Sequence, residues 1–189
     1  MLLLALGLLL GLLVACGGGD EPAAAPPSNP SDVPVPDGVE LSEPGTERKV
    51  GEAATVVYVA GRDLASVVRV KVTDIRRGSQ QDFSGYELDP RAARSVPWYV
   101  DAIMTNVGER RLADSPLPLF GYDSDSTYFP AARVQGSFRP CTPAKLSGNL
   151  APGDSVRGCL VYFVPRGVDL VSVQLRGDEG VEPISWPVG

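Results

Sequence analysis

Carboxylates are the side chains of this sequence best placed for acid–base chemistry, because the chain contains no histidine. Histidine is the usual general base near neutral pH and the commonest metal ligand. Glu87, Asp89, Asp101 and Asp114 could include the carboxylate pair that many hydrolases use. Their spacing brings no two of them together, so we expect solvated surface roles for all four. The sequence predicts a protein that is not an enzyme, and a carboxylate-dependent hydrolase is the weakest alternative.

Two short polar motifs could bind a ligand. The Asp-Ser-Asp-Ser run that contains Asp123 and Asp125 offers oxygen atoms to calcium, but it lacks the glycine and distal glutamate of an EF-hand loop. Such runs are also common at hairpin tips. Arg176-Gly177-Asp178 matches an integrin-binding tripeptide, and a glycine turn ending a strand accounts for it without a receptor. We predict turns at both places and no cofactor. No metal ligand is assigned, although cation binding by the Asp123/Asp125 loop stays open.

Cys16 carries the most specific chemical signal. It follows an apolar run over residues 2–14, which has the length of a signal peptide and is shorter than the roughly 20 residues of a transmembrane helix. Residues 13–16, Leu-Val-Ala-Cys, look like a bacterial lipobox, which implies cleavage before Cys16 and a diacylglycerol thioether on its sulfur. Two acyl chains hold a protein stably on a membrane where one does not. The alternative is an ordinary signal peptide with Cys16 merely nearby. The chain departs from the usual secretory signal in having no Lys or Arg before the apolar run, which bears on Met1 as the start rather than on Cys16.

Cys141 and Cys159 form an even pair once Cys16 is assigned to lipid. Outside the cytoplasm such a pair is expected to be oxidised, and we predict a disulfide that stabilises the fold by about 3 kcal/mol. Two cysteines without histidine cannot complete a structural zinc site.

The net charge of the chain limits the classes of partner that it can bind. The net charge of −6 argues against nucleic acid, which rewards clustered Lys and Arg. The negative charge also argues against electrostatic binding to anionic lipid. The predicted partners are the membrane, through the N-terminal lipid, and an unidentified extracytoplasmic protein or ligand.

The chain divides into three parts. Residues 1–15 are the predicted lipoprotein signal peptide. Residues 16–46 comprise the lipidated cysteine and a Gly-, Pro- and acid-rich tether, whose prolines forbid continuous helix and whose composition is typical of disorder. Residues 47–189 contain enough apolar side chains for one folded domain.

Short alternating segments bounded by Gly and Pro dominate that domain, and no ten-residue window has a helical period. Strands are expected over residues 67–75, 98–106, 117–122, 127–129, 156–164, 171–175 and 184–188. Their inward faces are expected to be Val68, Val70 and Val72; Trp98, Val100, Ala102 and Met104; and Val171, Val173 and Leu175. The pattern predicts an all-β fold, an immunoglobulin-like antiparallel β-sandwich.

The strand over residues 156–164 is apolar on both faces. We place Leu160, Tyr162 and Val164 inward, which points Cys159 outward toward the loop of Cys141.

A proline-broken segment over residues 115–120 contains Leu117, Leu119 and Phe120. If these side chains are exposed, they form a candidate protein-binding surface. The alternative is that they plug an end of the sandwich.

Four motifs occur in order: Lys49-Val50-Gly51-Glu52, Trp98-Tyr99-Val100 running to Thr105-Asn106-Val107-Gly108, Leu150-Ala151-Pro152-Gly153-Asp154-Ser155-Val156-Arg157-Gly158, and Val161-Tyr162-Phe163-Val164-Pro165. With them the chain resembles a family of bacterial, often actinobacterial, lipoproteins that carry a telokin-like immunoglobulin-like domain of unknown function. The resemblance implies an extracellular sandwich and no reaction. The chain departs from the family pattern by its two extra cysteines, Cys141 and Cys159, and by Tyr162 in place of phenylalanine.

The sequence thus predicts a lipid-anchored binding or interaction module on the extracytoplasmic face of the cell membrane. A structural spacer of the envelope is the main alternative. An exposed apolar patch or open strand edge would favour binding, and a uniformly polar surface would favour a spacer.

Overall fold

A computed structural model of the chain describes residues 32–61, 64–113, 116–143 and 149–189. The predicted signal peptide, Cys16 and the tether up to residue 31 lie outside these ranges. The described strands are β1 (Ala53–Gly61), β2 (Leu64–Arg77), β3 (Ser95–Asn106), β4 (Leu112–Ala113), β5 (Leu119–Asp123), β6 (Tyr128–Pro130), β7 (Asn149–Leu150), β8 (Ser155–Pro165), β9 (Leu170–Leu175) and β10 (Ile184–Pro187). Two short 3-10 helices span Gln80–Phe83 and Ala92–Arg94.

Two four-stranded antiparallel sheets form the body of the protein. The first sheet has the strand order β1-β2-β3-β8, and the second has the order β10-β9-β5-β6. A small antiparallel pair joins β4 to β7. The predicted fold class, an all-β, immunoglobulin-like antiparallel β-sandwich, is confirmed.

The main core lies between the two sheets. The predicted inward faces of β2 and β3 are confirmed, because Val68, Val70 and Val72 and Val100, Ala102 and Met104 are all buried in this core. Facing them from the second sheet are Val173, Leu175, Ile184 and Trp186. Trp186 is fully buried, and its Nε1 donates a hydrogen bond to the backbone oxygen of Glu52 at 3.1 Å.

The predicted phase of β8 is also confirmed. Tyr162 is buried in the main core and Leu160 packs against it. Cys159 lies on the opposite face of the sheet, in a second cluster with Phe83 and Tyr99. There it forms the predicted disulfide with Cys141, with the two Cα atoms 5.1 Å apart.

The folded body begins earlier than predicted. Val33 is buried against Val57 and Val67, and Val35, Val39 and Leu41 pack around the same cluster. The backbone N–H of Ser42 also donates to the oxygen of Thr55 at 2.8 Å. The prediction of a disordered tether is therefore wrong for residues 33–46, because their scattered valines cover the outer face of the β1–β2 hairpin.

The inward placement of Val171 is wrong, since this side chain is exposed. The pairing of β5 with β9 shifts between Tyr122 and Asp123, which are opposite Ser172 and Leu170 respectively. Val171 is therefore the extra residue of a β-bulge, and a bulge turns its residue out of the regular alternation.

Candidate functional site: an apolar groove between the sheets

A groove of about 1140 Å³ opens between the two sheets. The first sheet contributes the end of β1 and the middle of β8, and the second contributes the start of β5 and the segments after β6 and β9. The lining comprises residues 58–61, 116–120, 130–134, 159–161 and 176–179 together with Pro143. Most of these residues are apolar, so the groove can bury an apolar ligand.

Leu117, Leu119 and Phe120 all line this groove, but they are not the exposed patch considered from the sequence. Leu117 and Leu119 are buried in the main core, and Phe120 is half-buried. The two leucines therefore do not meet the condition of exposure that a binding patch requires, because their segment closes over the core, as the alternative expected. Leu117 and Leu119 form the floor of the groove, and Phe120 also lines it.

Two buried tyrosines hold the floor in place. The hydroxyl of Tyr58 donates to the backbone oxygen of Pro116 at 3.0 Å. The hydroxyl of Tyr162 donates to the backbone oxygen of Leu119 at 2.9 Å. Burial raises the pKa of Tyr58 to about 12, and burial also raises the pKa of Tyr162 far above its ordinary value. Both hydroxyls therefore stay protonated donors throughout the physiological pH range.

The Arg176-Gly177-Asp178 tripeptide forms one wall of the groove. It follows directly after β9, as predicted, and the backbone oxygen of Gly177 accepts a hydrogen bond from the N–H of Val59 at 2.9 Å. A Cβ atom at position 177 would overlap the backbone oxygen of Val57. The glycine is therefore explained by a close approach between the two sheets.

Charged side chains stand at the rim. Arg133 and Arg176 are exposed, and within the described residues neither forms an ion pair with a carboxylate. The guanidinium of Arg176 lies 4.5 Å from the ring centroid of Tyr128, a cation–π geometry. Asp178 and Glu179 lie on the same rim, and the N–H of Glu179 donates to Oδ1 of Asp178 at 2.8 Å.

The structure describes three of the four candidate catalytic carboxylates, Glu87, Asp89 and Asp101. The fourth, Asp114, lies outside the described residues. Arg76 forms ion pairs with both Asp101 and Asp74, which are opposite each other on β3 and β2. Asp101 is therefore half-buried and paired, and the prediction of a solvated role is wrong for it. Burial works to lower the pKa of Arg76, but the hydrogen bonds to Asp101 and Asp74 outweigh burial and raise it.

Asp89 and Glu87 are exposed, as predicted. Oδ1 of Asp89 accepts hydrogen bonds from the backbone N–H groups of Arg91 at 2.8 Å and Ala92 at 3.0 Å. The bonds from Ala92 and Arg91 lower the pKa of this carboxyl. Asp89 therefore caps the second 3-10 helix.

The Asp123/Asp125 loop is a hairpin tip between β5 and β6, as predicted. Asp123 is buried, and its Oδ1 accepts hydrogen bonds from the N–H groups of Asp125 at 3.0 Å and Thr127 at 2.8 Å. Within the described ranges no three His, Cys, Asp or Glu side chains are grouped so that they could hold a metal ion.

Sequence reasoning missed several residues of the groove, namely Tyr58, Arg133 and Leu160 as lining side chains. They lie on three segments distant in sequence, and only the pairing of strands brings them together. The one available signal was the repeated proline at positions 116, 118, 130 and 143, which marks segments that cannot continue a sheet.

Fold and site together define an antiparallel β-sandwich with an apolar groove between its sheets. This fold is similar to that of a secreted protein from Mycobacterium tuberculosis, MPT63, whose crystal structure aligns with a TM-score of 0.51 at 13% identity. The alignment covers 75% of this chain and 96% of that one. At such low identity the likeness shows the fold alone.

No protein-family model matches the chain, and a search of curated proteins found no relative. The resemblance to telokin-like lipoproteins therefore stays a prediction. Across the described ranges no helix has the length and apolar character needed to cross a membrane.

Proposed function

We propose that this chain is an exported, lipid-anchored binding module without enzymatic activity, and that the groove is its binding site. The observation that carries the proposal is the groove itself, an apolar concavity whose floor and walls are fixed by buried hydrogen bonds. Large apolar pockets with a few polar groups at the rim are the usual binding sites of proteins. A structural spacer would be expected to have a uniformly polar surface without such a concavity.

The location rests on two supports. The lipobox-like residues 13–16 favour lipidation at Cys16, and the fold is shared with a protein described as secreted. We expect the mature chain to begin at Cys16 and to remain with membranes in high salt. A Cys16→Ser variant should lose the lipid and leave the membrane fraction. A wild-type chain that washes off membranes in salt would contradict the anchor.

The binding role is tested by photo-crosslinking on intact cells. A photoreactive amino acid at Phe120 reports on the groove, and the same residue at Val171, which is exposed and outside the groove, is the matched control. We expect a defined adduct from position 120 and none from position 171. Equal labelling from both positions, or none from either on cells rich in the protein, would overturn the groove as the binding site.

A further inference from the structure

We propose that the groove binds a single-chain anionic amphiphile, with the acyl chain between the sheets and the head group at Arg133 and Arg176. This inference rests on the proposed function and specifies its ligand class.

The walls suit an acyl chain because aliphatic side chains from both sheets meet in the groove. Leu119 of β5 and Leu160 of β8 belong to or pack against the main core and also line the groove, so the concavity reaches the inter-sheet interior. Leu117 and Pro118 also line the groove but are already buried, so the apolar surface that a ligand can cover belongs to half-buried lining side chains such as Leu160 and Phe120. A flexible alkyl chain would gain contact with this surface along its length, at about 25 cal/mol per Å² of apolar area removed from water.

An extended peptide fits less well, because several backbone groups around the groove are already paired. On β8, the N–H of Cys159 already donates to Thr142 and the oxygen of Val161 already accepts from Ala132, at 2.9 and 2.7 Å. The N–H of Val59 is used by Gly177. Peptides that add a strand to a sheet depend on free groups of this kind.

Prolines remove further donors from the lining. Pro116, Pro118, Pro130 and Pro143 all line the groove and have no N–H. A ligand that binds through apolar contact rather than backbone pairing therefore matches these walls.

The two arginines of the rim, Arg133 and Arg176, favour an anionic head group. Among the described residues neither guanidinium is ion-paired with a carboxylate, and each can donate two hydrogen bonds to a ligand carboxylate or phosphate. Asp178 and Glu179 on the same rim repel an anion. A measured preference for an anionic head group would therefore have to come from the arginines, and this makes the preference a test of the proposal. Carboxylate and phosphate heads share the chemistry that the arginines recognise.

Binding is measured by displacement of dansyl-undecanoate, a fluorescent fatty acid, from the purified domain below the micellar concentration of each competitor. The competitors are octanoate, decanoate, laurate and myristate. We expect the affinity to rise about threefold or more for each added methylene until the groove is filled. Lysophosphatidylglycerol with a lauroyl chain carries a phosphate head group, and its affinity is compared with that of laurate, which carries a carboxylate. Affinity that is independent of chain length would overturn the proposal.

Variants locate the site. Phe120→Glu should weaken laurate binding at least tenfold, and Val171→Glu, the control on the same sheet, should leave it unchanged. Arg133→Gln combined with Arg176→Gln should abolish the preference for laurate over dodecyltrimethylammonium. Unaltered binding by Phe120→Glu, or tighter binding of the cationic surfactant by the wild type, would overturn the proposal. Each variant is checked for a wild-type unfolding transition, and Phe120→Ser replaces Phe120→Glu if the latter does not fold.

The two proposals fail separately. If position 120 crosslinks to a partner on cells and no amphiphile binds, the ligand class is wrong and the binding function stands. If neither occurs, both are wrong.

Discussion

The hydroxyl of Tyr162 on β8 donates a hydrogen bond to the backbone oxygen of Leu119 on β5, at 2.9 Å and out of contact with water. This bond joins the first sheet to the second beneath the groove. Leu119 is a floor residue, so the same contact that holds the sandwich together also fixes the base of the proposed binding site.

Removing that hydroxyl should destabilise the protein measurably. Tyr162→Phe keeps the ring and deletes a buried donor, and we expect the free energy of unfolding to fall by about 1–2 kcal/mol. Urea denaturation followed by tryptophan fluorescence measures the change. Tyr122→Phe, a half-buried ring on the outer face of the second sheet, is the control and should change stability by less than about 0.5 kcal/mol. Equal effects of the two substitutions would contradict a special role for Tyr162.

The disulfide should stabilise a cluster outside the main core. Cys141 and Cys159 are 18 residues apart and pack with Phe83, Tyr99 and Phe138 on the outer face of the first sheet. In the chain-entropy model a loop of this length contributes about 3 kcal/mol. We expect that loss of unfolding free energy in the Cys141→Ala, Cys159→Ala double variant without reductant. Reductant should lower the wild type to a similar value. Indifference of both proteins to reductant would show that the bond is not formed.

Gly177 should resist substitution because of its neighbour. An added Cβ would overlap the oxygen of Val57, so Gly177→Ala must push the two backbones apart, and overpacking of this kind costs about 1–3 kcal/mol. Gly61→Ala is the matched control, since a Cβ there has no heavy atom within 4 Å. Thermal unfolding compares the two variants. A stable Gly177→Ala protein would mean that the tripeptide is not held by its contact with β1.

Alkaline pH should unfold the protein through its buried tyrosines. Burial raises the pKa of Tyr58 to about 12, and burial together with the hydrogen bond to Asp82 raises the pKa of Tyr99. A tyrosine in the unfolded chain ionises near a pKa of about 10. Above that pH the unfolded state binds fewer protons than the folded state, so stability falls with rising pH.

The expected profile is full stability below pH ~10 and progressive loss up to pH ~12. Urea denaturation at several pH values, with phenolate absorbance recorded in parallel, measures both events. Ionisation of all six tyrosines well before unfolding would contradict the buried hydrogen-bonded state of Tyr58 and Tyr162.

Strands with a regular period could be predicted from the sequence, because alternation alone decides which face is buried. This holds for β2 and β3, whereas β8 is apolar on both faces and its phase does not follow from alternation. Strand β1 was missed because its nine residues, Ala53–Gly61, are almost continuously apolar and show no alternation. Both of its faces are covered, one by the main core and the other by Val33 and its neighbours.

The site was only partly accessible to sequence reasoning. The sequence identifies Leu117, Leu119 and Phe120 as an apolar segment broken by proline, but their exposure depends on the long-range pairing of β5 with β9. Leu160, which lines the groove with them, is more than thirty residues away in the chain, and no local pattern connects it to them. Such contacts depend on strand register, and a shift of the register by one residue moves every side chain of a strand to the other face of the sheet.

Occupancy of the groove in the native protein tests the central claim most directly. The protein is purified from its own cells in a mild detergent and analysed by native mass spectrometry, beside Phe120→Glu and Val171→Glu variants prepared in the same way. We predict a reproducible added mass on the wild type and on Val171→Glu that is lost from Phe120→Glu. The same added mass on all three proteins, or on none of them, would contradict binding in the groove.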